Sequence, residues 1–375
     1  MVSQLSLKNL SIPFRIQFEH NSAVRNSTQS VLIIAQGINY TGYGEGCPRE
    51  YVTNESVKTA FEFFKLVKKQ ILVAVNDLDS LLVFRAINKE IIKINPACWC
   101  AIEMALLDLF AKENQVSIEH LLGLKELDGT FQYTAVIGGG SMEYFTAIAK
   151  RHFQLNFLEY KIKISGIVDE DYPKIKYLKE QNPNFRIRLD ANNLWETHLE
   201  VIQYCKHLPF PIVGLEEPLK NKNISALANI YKETGIPIIL DESFLYLDDL
   251  EDVCSYRDSF ILNVRVSKMG GIINCLQIVK RIKELKIPAI VGAQVGESSL
   301  LTRAALLIEQ ELNEYCIGME GAYGTLLLED DITNKSIMFG YGGNLTVYNQ
   351  LDKGEYGLQL CIEKEKIYRF SKSKY

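Results

Sequence analysis

Three acidic residues recur at nearly one interval along the chain. Asp190 in RIRLDANN, Glu216 in IVGLEEPL and Asp241 in IPIILDES each close a short run rich in β-branched residues, and the steps between them are 26 and 25 residues. One strand, one helix and two short loops fill such a step, so the acids would lie at the C-terminal ends of successive parallel strands. Converging carboxylates with no nearby Cys or His favour Mg²⁺ over zinc. The spacing therefore predicts a metal-dependent barrel enzyme.

Composition and charge exclude several other classes of protein. The net charge of −5 provides no basic surface for nucleic acid and no attraction to an anionic membrane. The first residues lack a basic start followed by an apolar stretch, and no apolar run is long enough to span a bilayer. The eight cysteines are scattered without a CxxC pair, which favours buried free thiols in a reducing compartment. We expect a cytoplasmic protein that binds neither nucleic acid nor membranes.

The hydrophobic periodicity divides the 375 residues into three segments. Residues 1–125 begin with alternating, strand-like runs and change to helical spacing after Asn54, which predicts an α+β capping domain. Eight short apolar runs separated by helical stretches fill residues 126–335 and predict an α/β fold, a modified TIM-like (β/α) barrel that carries the catalytic site. Residues 336–375 again resemble strands and turns, and we expect this tail to return to the capping domain.

Period-2 alternation indicates which side chains of each barrel strand share a face. The charged members should point into the barrel, because the outward face packs on apolar helices. Such buried charges persist only where they pair with each other or bind something. The in-phase sets are Glu159, Lys161 and Lys163; Arg186, Arg188 and Asp190; Gly214 and Glu216; Ile239 and Asp241; Asn263 and Arg265.

Two lysines, Lys161 and Lys163, lie one repeat before the first acid. A lysine beside a divalent cation and a second lysine has its neutral form favoured, so it can act as a base. With this pair, the motifs LDANN, LEEP and LDES, and the stretches GYGEGCPREYVTNES and AIEMALLDL, the chain closely resembles the enolase superfamily and, within it, the muconate-lactonizing (mandelate racemase/muconate lactonizing enzyme) group. The resemblance covers essentially the whole chain.

The resemblance implies a shared chemical step. A metal-bound carboxylate substrate loses its α-proton, and the resulting enediolate is held by Mg²⁺, with Mn²⁺ as the alternative metal. It implies that Asp190, Glu216 and Asp241 are the metal ligands, that Lys163 is the base, and that Lys161 lowers the pKa of Lys163 or contacts the substrate carboxylate. The candidates for supporting the ligands are Asn192 and Glu242.

The sixth strand departs from the family pattern. Where the group usually has a second catalytic lysine, five residues before a Gly, this chain has Arg265, which stays protonated and cannot serve as the opposing base. Lys268 lies three residues on, out of phase, and is either a solvated loop lysine or a second catalytic residue.

The seventh and eighth strands also differ from some members of the group. Gln294 and Glu297 stand where mandelate-racemase-like members carry a His, and Glu297 resembles a glutamate of the muconate-lactonizing group. Gly318 and Glu320 take the places of the D-x-D pair of dipeptide epimerases, which weakens the prediction of a contact to a substrate amino group. Both Gln294 and Glu320 are candidate substrate contacts.

Substrate choice in this family lies in loops of the capping domain, here FEHNSAVRNST and GCPREYVT. Arg25, Arg49 and Tyr51 are the candidate contacts to a second polar group of a small carboxylate substrate. We also expect a homo-oligomer.

Three functions remain open. The favoured one is a one-base cycloisomerase or syn-dehydratase, in which Lys163 removes the proton and Arg265 stabilises negative charge on the other face. The alternative is a two-base racemase or epimerase of amino-acid or dipeptide derivatives, which needs Lys268 to reach the site. The third function, from another class, is that of a catalytically inactive homologue that only binds metal or ligand.

Overall fold

The structure, a computed structural model, describes residues 2–20, 23–352 and 354–372. The capping part comes first in the chain. Its strands are β1 (Gln4–Leu10), β2 (Pro13–His20), β3 (Ala23–Ser27), β4 (Ser30–Gln36) and β5 (Thr41–Gly46). Its helices are α1 (Glu50–Thr53), α2 (Val57–Ala74), α3 (Leu78–Ile87), α4 (Lys89–Lys93), α5 (Pro96–Glu113) and α6 (Ile118–Leu121).

Helix α5 is the centre of the capping part, and β5 lies directly on it. Pro96 opens the helix at a first-turn position, where a missing backbone N–H costs nothing. The alternating glycines of β5 permit the close approach: a Cβ added at Gly44 would lie 2.2 Å from the carbonyl oxygen of Ala101. A strand with side chains on that face could not pack at this distance.

The eight apolar runs form the eight strands of one curled parallel sheet, as predicted, and helices follow seven of these strands. Strand β6 (Thr130–Gln132) precedes this sheet. The sheet strands are β7 (Ala135–Ile137), β8 (Glu159–Lys163), β9 (Arg186–Asp190), β10 (Gly214–Glu216), β11 (Ile238–Leu240), β12 (Phe260–Val264), β13 (Ala289–Val291) and β14 (Cys316–Met319). The helices are α7 (Met142–Gln154), α8 (Val168–Gln181), α9 (His198–Lys206), α10 (Ile224–Thr234), α11 (Asp249–Cys254), α12 (Ile272–Leu285) and α13 (Ser299–Leu312).

The inner face of the barrel holds a small apolar cluster of Ile239, Ile261 and Ile290, and charged groups lie around it. The α/β barrel with an α+β cap is therefore confirmed. Gly214 and Ile239 were both predicted to face the barrel interior from neighbouring strands. The structure agrees, because a Cβ added at Gly214 would lie only 2.8 Å from the Ile239 side chain.

The chain after β14 returns to both parts of the molecule. Strand β15 (Asn344–Thr346) pairs with β6, and β16 (Ser371–Lys372), which follows α14 (Lys364–Phe370), pairs with β1. These pairings support the expected return of the tail, while the boundaries at residues 125 and 335 stay a prediction. Within the described ranges, none of the helices combines the length and the apolar character needed to cross a bilayer.

Candidate active site

The strand register brings the three predicted ligands together. Asp190 and Glu216 close β9 and β10 and lie opposite each other in the sheet, and Asp241 directly follows β11. All three side chains are buried. Parallel strands end at the same edge of a sheet, so adjacent strand ends must bring their acids side by side.

The side chains of Lys161 and Arg265 lie among these carboxylates. The Lys161 ammonium is 2.8 Å from Glu216 Oε1 and 3.3 Å from Asp190 Oδ2. The Arg265 guanidinium contacts Asp241 and lies 3.9 Å from Glu216 Oε1. Burial alone would lower the pKa of Lys161, but the surrounding carboxylates raise it above its ordinary value. Lys161 therefore remains an ammonium that holds the acids together.

Lys163 differs from Lys161 although both belong to one strand. It lines the central cavity, and among the described residues it forms no ion pair within 4.0 Å. Burial lowers its pKa; Asp190 opposes this shift, and the neighbouring Lys161 adds to it. A partly buried amine with a lowered pKa and no ion-pair partner among the described residues has the properties that a general base requires.

Lys268 is neither a solvated loop lysine nor a residue of the cavity wall. It lies in the turn after β12 and is fully buried. Its ammonium donates to the backbone oxygen of Asp241 at 2.7 Å, to Asp241 Oδ1 at 2.9 Å and to the backbone oxygen of Asn263 at 2.9 Å. Burial and the nearby Arg265 lower its pKa to about 7. All three donors are used behind Asp241, and Lys268 does not line the cavity.

Arg265 faces the cavity from the sixth strand, together with two residues that follow the seventh. Its Nη1 donates to Gln294 Oε1 at 3.3 Å, and Glu297 Oε1 accepts from the Gln294 backbone N–H at 2.7 Å. Burial raises the pKa of Glu297 to about 8. This wall therefore presents a permanent cation beside an amide and an acid that is largely protonated at neutral pH.

The predicted supporting residues also lie in the cavity wall. The backbone N–H of Asn192 donates to Asp190 Oδ1 at 3.2 Å, and Glu242 lines the cavity. Burial, and then Glu217, raise the pKa of Glu242 to about 8. Glu217 was not predicted, although it is part of the LEEP motif. It accepts from the backbone N–H groups of Asp241 and Ser243 at 2.6 and 2.7 Å and thereby fixes the turn that carries Asp241.

Glu320 is bound from two sides. It accepts from Lys161 Nζ at 3.0 Å and from Arg188 Nη1 at 2.9 Å, and Arg188 also pairs with Glu159 at 3.1 Å. Burial would raise the pKa of Glu320, but Lys161 and Arg188 lower it to about 2. Apart from Lys163, the in-phase charges inside the barrel are thus mutually paired. The Arg188 and Glu159 pair was not predicted as part of the site.

The capping part contributes Tyr51 to the cavity lining, whereas Arg25 and Arg49 do not line it. Arg25 lies over the Tyr51 ring, 5.8 Å from its centroid. Arg49 is buried, and its guanidinium donates to four backbone oxygens, those of Gln29, Pro48, Thr28 and Val295. Arg49 therefore joins the cap to the loop after the seventh strand. Of the predicted specificity loop FEHNSAVRNST, residues 21 and 22 lie outside the described residues.

The donor groups at the strand ends decide whether a metal ion fits there. Within the described ranges, no three His, Cys, Asp or Glu side chains already form a metal-binding group. The three predicted ligands instead contact Lys161, Arg265 and Lys268. The donors nevertheless fit Mg²⁺ by type: three carboxylates meet at adjacent strand ends, and Glu216 Oε2 is buried without a hydrogen-bond partner. Asp190, Glu216 and Asp241 would hold the metal.

Comparison with known proteins agrees with this architecture. Residues 145–342 match the family described as "Enolase C-terminal domain-like". The chain is 26% identical over 273 residues to the L-Ala-D/L-Glu epimerase of Francisella tularensis subsp. novicida, covering 72% of this chain and 76% of the relative. It is 24% identical over 308 residues to the N-succinyl-L-Arg/Lys racemase of Bacillus cereus, covering 81% and 82%.

Solved structures show the same fold. The dipeptide epimerase of Cytophaga hutchinsonii, crystallised with Mg and the dipeptide D-Ala-L-Val, superposes with a TM-score of 0.85 at 23% identity and covers 99% of this chain and 98% of that chain. The family match spans more than half of the chain, and the solved structure shares the whole barrel and cap. The protein therefore belongs to the enolase superfamily.

Proposed function

We propose that this protein is a metal-dependent isomerase of the epimerase and racemase type, which removes the proton α to the carboxylate of an amino-acid derivative. The observation that carries the proposal is the state of Lys163: it lines the cavity, forms no ion pair among the described residues and has a pKa lowered by burial. The names of the relatives support the same class of reaction and substrate. They favour epimerisation or racemisation over the cycloisomerisation or dehydration that Arg265 suggested.

The proposed step uses the chain's own residues as follows. The neutral amine of Lys163 takes the α-proton, the C–H bonding electrons move into the carboxylate as an enediolate, and return of a proton to the α-carbon completes the reaction. Bound Mg²⁺ would stabilise the negative charge that develops on the carboxylate oxygens. Lys161 keeps Glu216 and Asp190 in place, and Arg265 offers a fixed positive charge in the lining of the same cavity.

We further propose N-acylated amino acids, rather than substrates with a free amino group, as the substrate class. A substrate ammonium needs an uncommitted carboxylate, and Glu320 already accepts from Lys161 and Arg188. An amide nitrogen carries no charge and makes no such demand. The racemase from Bacillus cereus, named for N-succinyl amino acids, is a relative with this kind of substrate.

A reaction confined to one face is the second candidate, because Arg265 and not Lys268 lines the wall on the sixth strand. Arginine cannot take up a proton, and the Lys268 ammonium is bound to three oxygens behind Asp241. Inversion would then require the proton on the second face to come from solvent or from a displaced Lys268.

Proton NMR in D₂O with Mg²⁺ and a panel of N-acyl amino acids and dipeptides tests the proposal. We expect loss of the α-proton signal together with inversion at the α-carbon. Exchange without inversion would favour the one-face reaction. If no derivative exchanges its α-proton, the proposed function is wrong and a non-catalytic binding role gains support. Location in the cytoplasm, homo-oligomeric assembly and use of Mn²⁺ stay predictions.

A further inference from the structure

The backbone hydrogen bonding between the first and last barrel strands, β7 and β14, is incomplete. The backbone N–H of Thr134, just before β7, donates to the Met319 oxygen at the end of β14 at 2.8 Å. Two residues further along, the Val136 N–H donates to the Tyr323 hydroxyl oxygen at 3.2 Å instead of to a neighbouring strand. The Tyr323 side chain thus takes the place of strand pairing. We call the junction between β7 and β14 the seam, and it is open towards the edge of the sheet where Lys163 and the acidic residues lie.

The place of an eighth barrel helix beside this seam is taken by irregular chain. After β14 the described chain runs through a short 3₁₀ helix, Gly324–Leu326, and its next α-helix is α14. α14 leads into β16, which pairs with β1 of the cap. Within the described chain, β14 is therefore not followed directly by an α-helix that could pack against α7 on this side.

One face of α7 is a stripe at helical spacing, formed by Tyr144, Ile148, Arg151 and Leu155. These side chains line the same cavity of about 580 Å³ as Lys163 and Asp190. Residues of the last segment line the same cavity, namely Tyr323, Leu326, Leu327, Leu328 and Phe339. We call the space between α7 and this segment the seam chamber.

The lining of the seam chamber is apolar apart from two residues of α7. Arg151 is exposed, so its charged end can remain in water. His152 is buried against Phe157, with ring centroids 5.4 Å apart, and burial lowers its pKa to about 4, so it is uncharged at neutral pH. Such a lining stabilises an apolar group and penalises a charged one.

We propose that the seam chamber binds the apolar tail of an N-acylated substrate whose carboxylate lies at Lys163. This inference rests on the proposed function and narrows it from acyl groups in general to long aliphatic ones. Its basis is the continuity of one cavity from the charged strand ends to the apolar stripe of α7. Each methylene that enters the chamber should raise affinity about fourfold until the chamber is full.

The test is calorimetric titration of the Mg²⁺-loaded protein with a series of N-acylglycines from acetyl to decanoyl. In the parent protein we expect affinity to rise with chain length. Ile148→Trp places an indole in the chamber and should abolish that rise while affinity for N-acetylglycine stays the same. Lys150→Trp is the matched control, because it adds the same indole to an exposed position of the same helix, and it should behave like the parent.

Leu155→Trp is a second filling variant in case Ile148→Trp does not fold. Chain-length-independent affinity in the parent would overturn the inference, and so would a rise that persists in both folded filling variants. The proposed function has a separate readout, the exchange of the α-proton in D₂O. If exchange occurs but chain length has no effect, only the seam chamber inference fails. If affinity rises with chain length but nothing exchanges, only the proposed function fails.

Discussion

Replacing Lys163 with Ala should remove the α-proton base while leaving the fold intact. A positioned general base contributes about 10² to 10⁴ in rate, or roughly 3 to 5 kcal/mol of barrier. Lys161 cannot substitute for it, because its ammonium bridges Glu216, Asp190 and Glu320 and the pKa of that amine is raised. The fall in rate should therefore lie in the upper part of this range, and it should appear in kcat rather than in KM.

The free energy of unfolding of Lys163→Ala should stay the same or rise slightly, although its activity falls. Lys163 is largely buried and forms no ion pair among the described residues, so its removal breaks no salt bridge and relieves a desolvated amine. We expect Lys163→Ala to unfold in urea at the same or a slightly higher concentration than the parent. Lys161→Ala is the contrasting variant: it leaves buried carboxylates unpaired and should be destabilised.

The assay is α-proton exchange of N-acyl amino acids in D₂O, followed by proton NMR at saturating substrate. Added methylamine should restore part of the lost rate in Lys163→Ala, because a small amine fits the space that the side chain leaves. A Lys163→Ala protein that exchanges within about tenfold of the parent would refute the assignment. Loss of exchange accompanied by unfolding would refute the argument that Lys163 has no structural role.

Three further predictions concern metal binding, the role of Arg265 and the pH dependence of stability. Glu216→Gln should weaken Mg²⁺ binding by more than about tenfold, measured by calorimetry, and parent-like affinity would place the metal elsewhere. Arg265→Lys should lose most of the native α-proton exchange, because a lysine cannot reproduce the guanidinium contacts to Asp241 and Gln294; parent-like exchange of N-acyl amino acids would contradict this. The pKa of His152 is about 4 in the folded protein, below its value of about 6.5 in the unfolded chain. As pH falls from 6.5 towards 4, the unfolded chain therefore takes up a proton on His152 that the folded protein does not, and the free energy of unfolding decreases. Urea unfolding should show about 2 kcal/mol less stability at pH 5 than at pH 8 from this residue, and His152→Gln should reduce that difference.

Much of the molecule follows from local pattern. The eight barrel strands and their order were predictable because strand and helix periods are properties of short windows, and the 26- and 25-residue steps repeat one supersecondary unit. The meeting of Asp190, Glu216 and Asp241 also follows, since parallel strands end at one edge. The two-residue strand period placed Lys161 and Lys163 on one face in the same way.

The resemblance assigned different roles to these two lysines, but the contacts that separate them were not predictable from local pattern. They share a strand face, yet one bridges three carboxylates while the other lines the cavity without an ion pair among the described residues. Lys268 is similar: its position in a turn suggested either solvent or the active site, and it lies in neither, bound behind Asp241. Hydrogen-bond partners come from several strands at once, so no local window contains them.

The sequence by itself determined the periodic elements, the phase of each strand and the chemical types at the strand ends, because these depend on residues near each other in the chain. Tertiary structure alone decided which charges neutralise one another, that Arg49 joins the cap to the barrel, and that the seam between β7 and β14 opens onto an apolar stripe of α7. Coulombic pairing and cavity shape depend on distances between remote segments, and the closure of the barrel sets those distances.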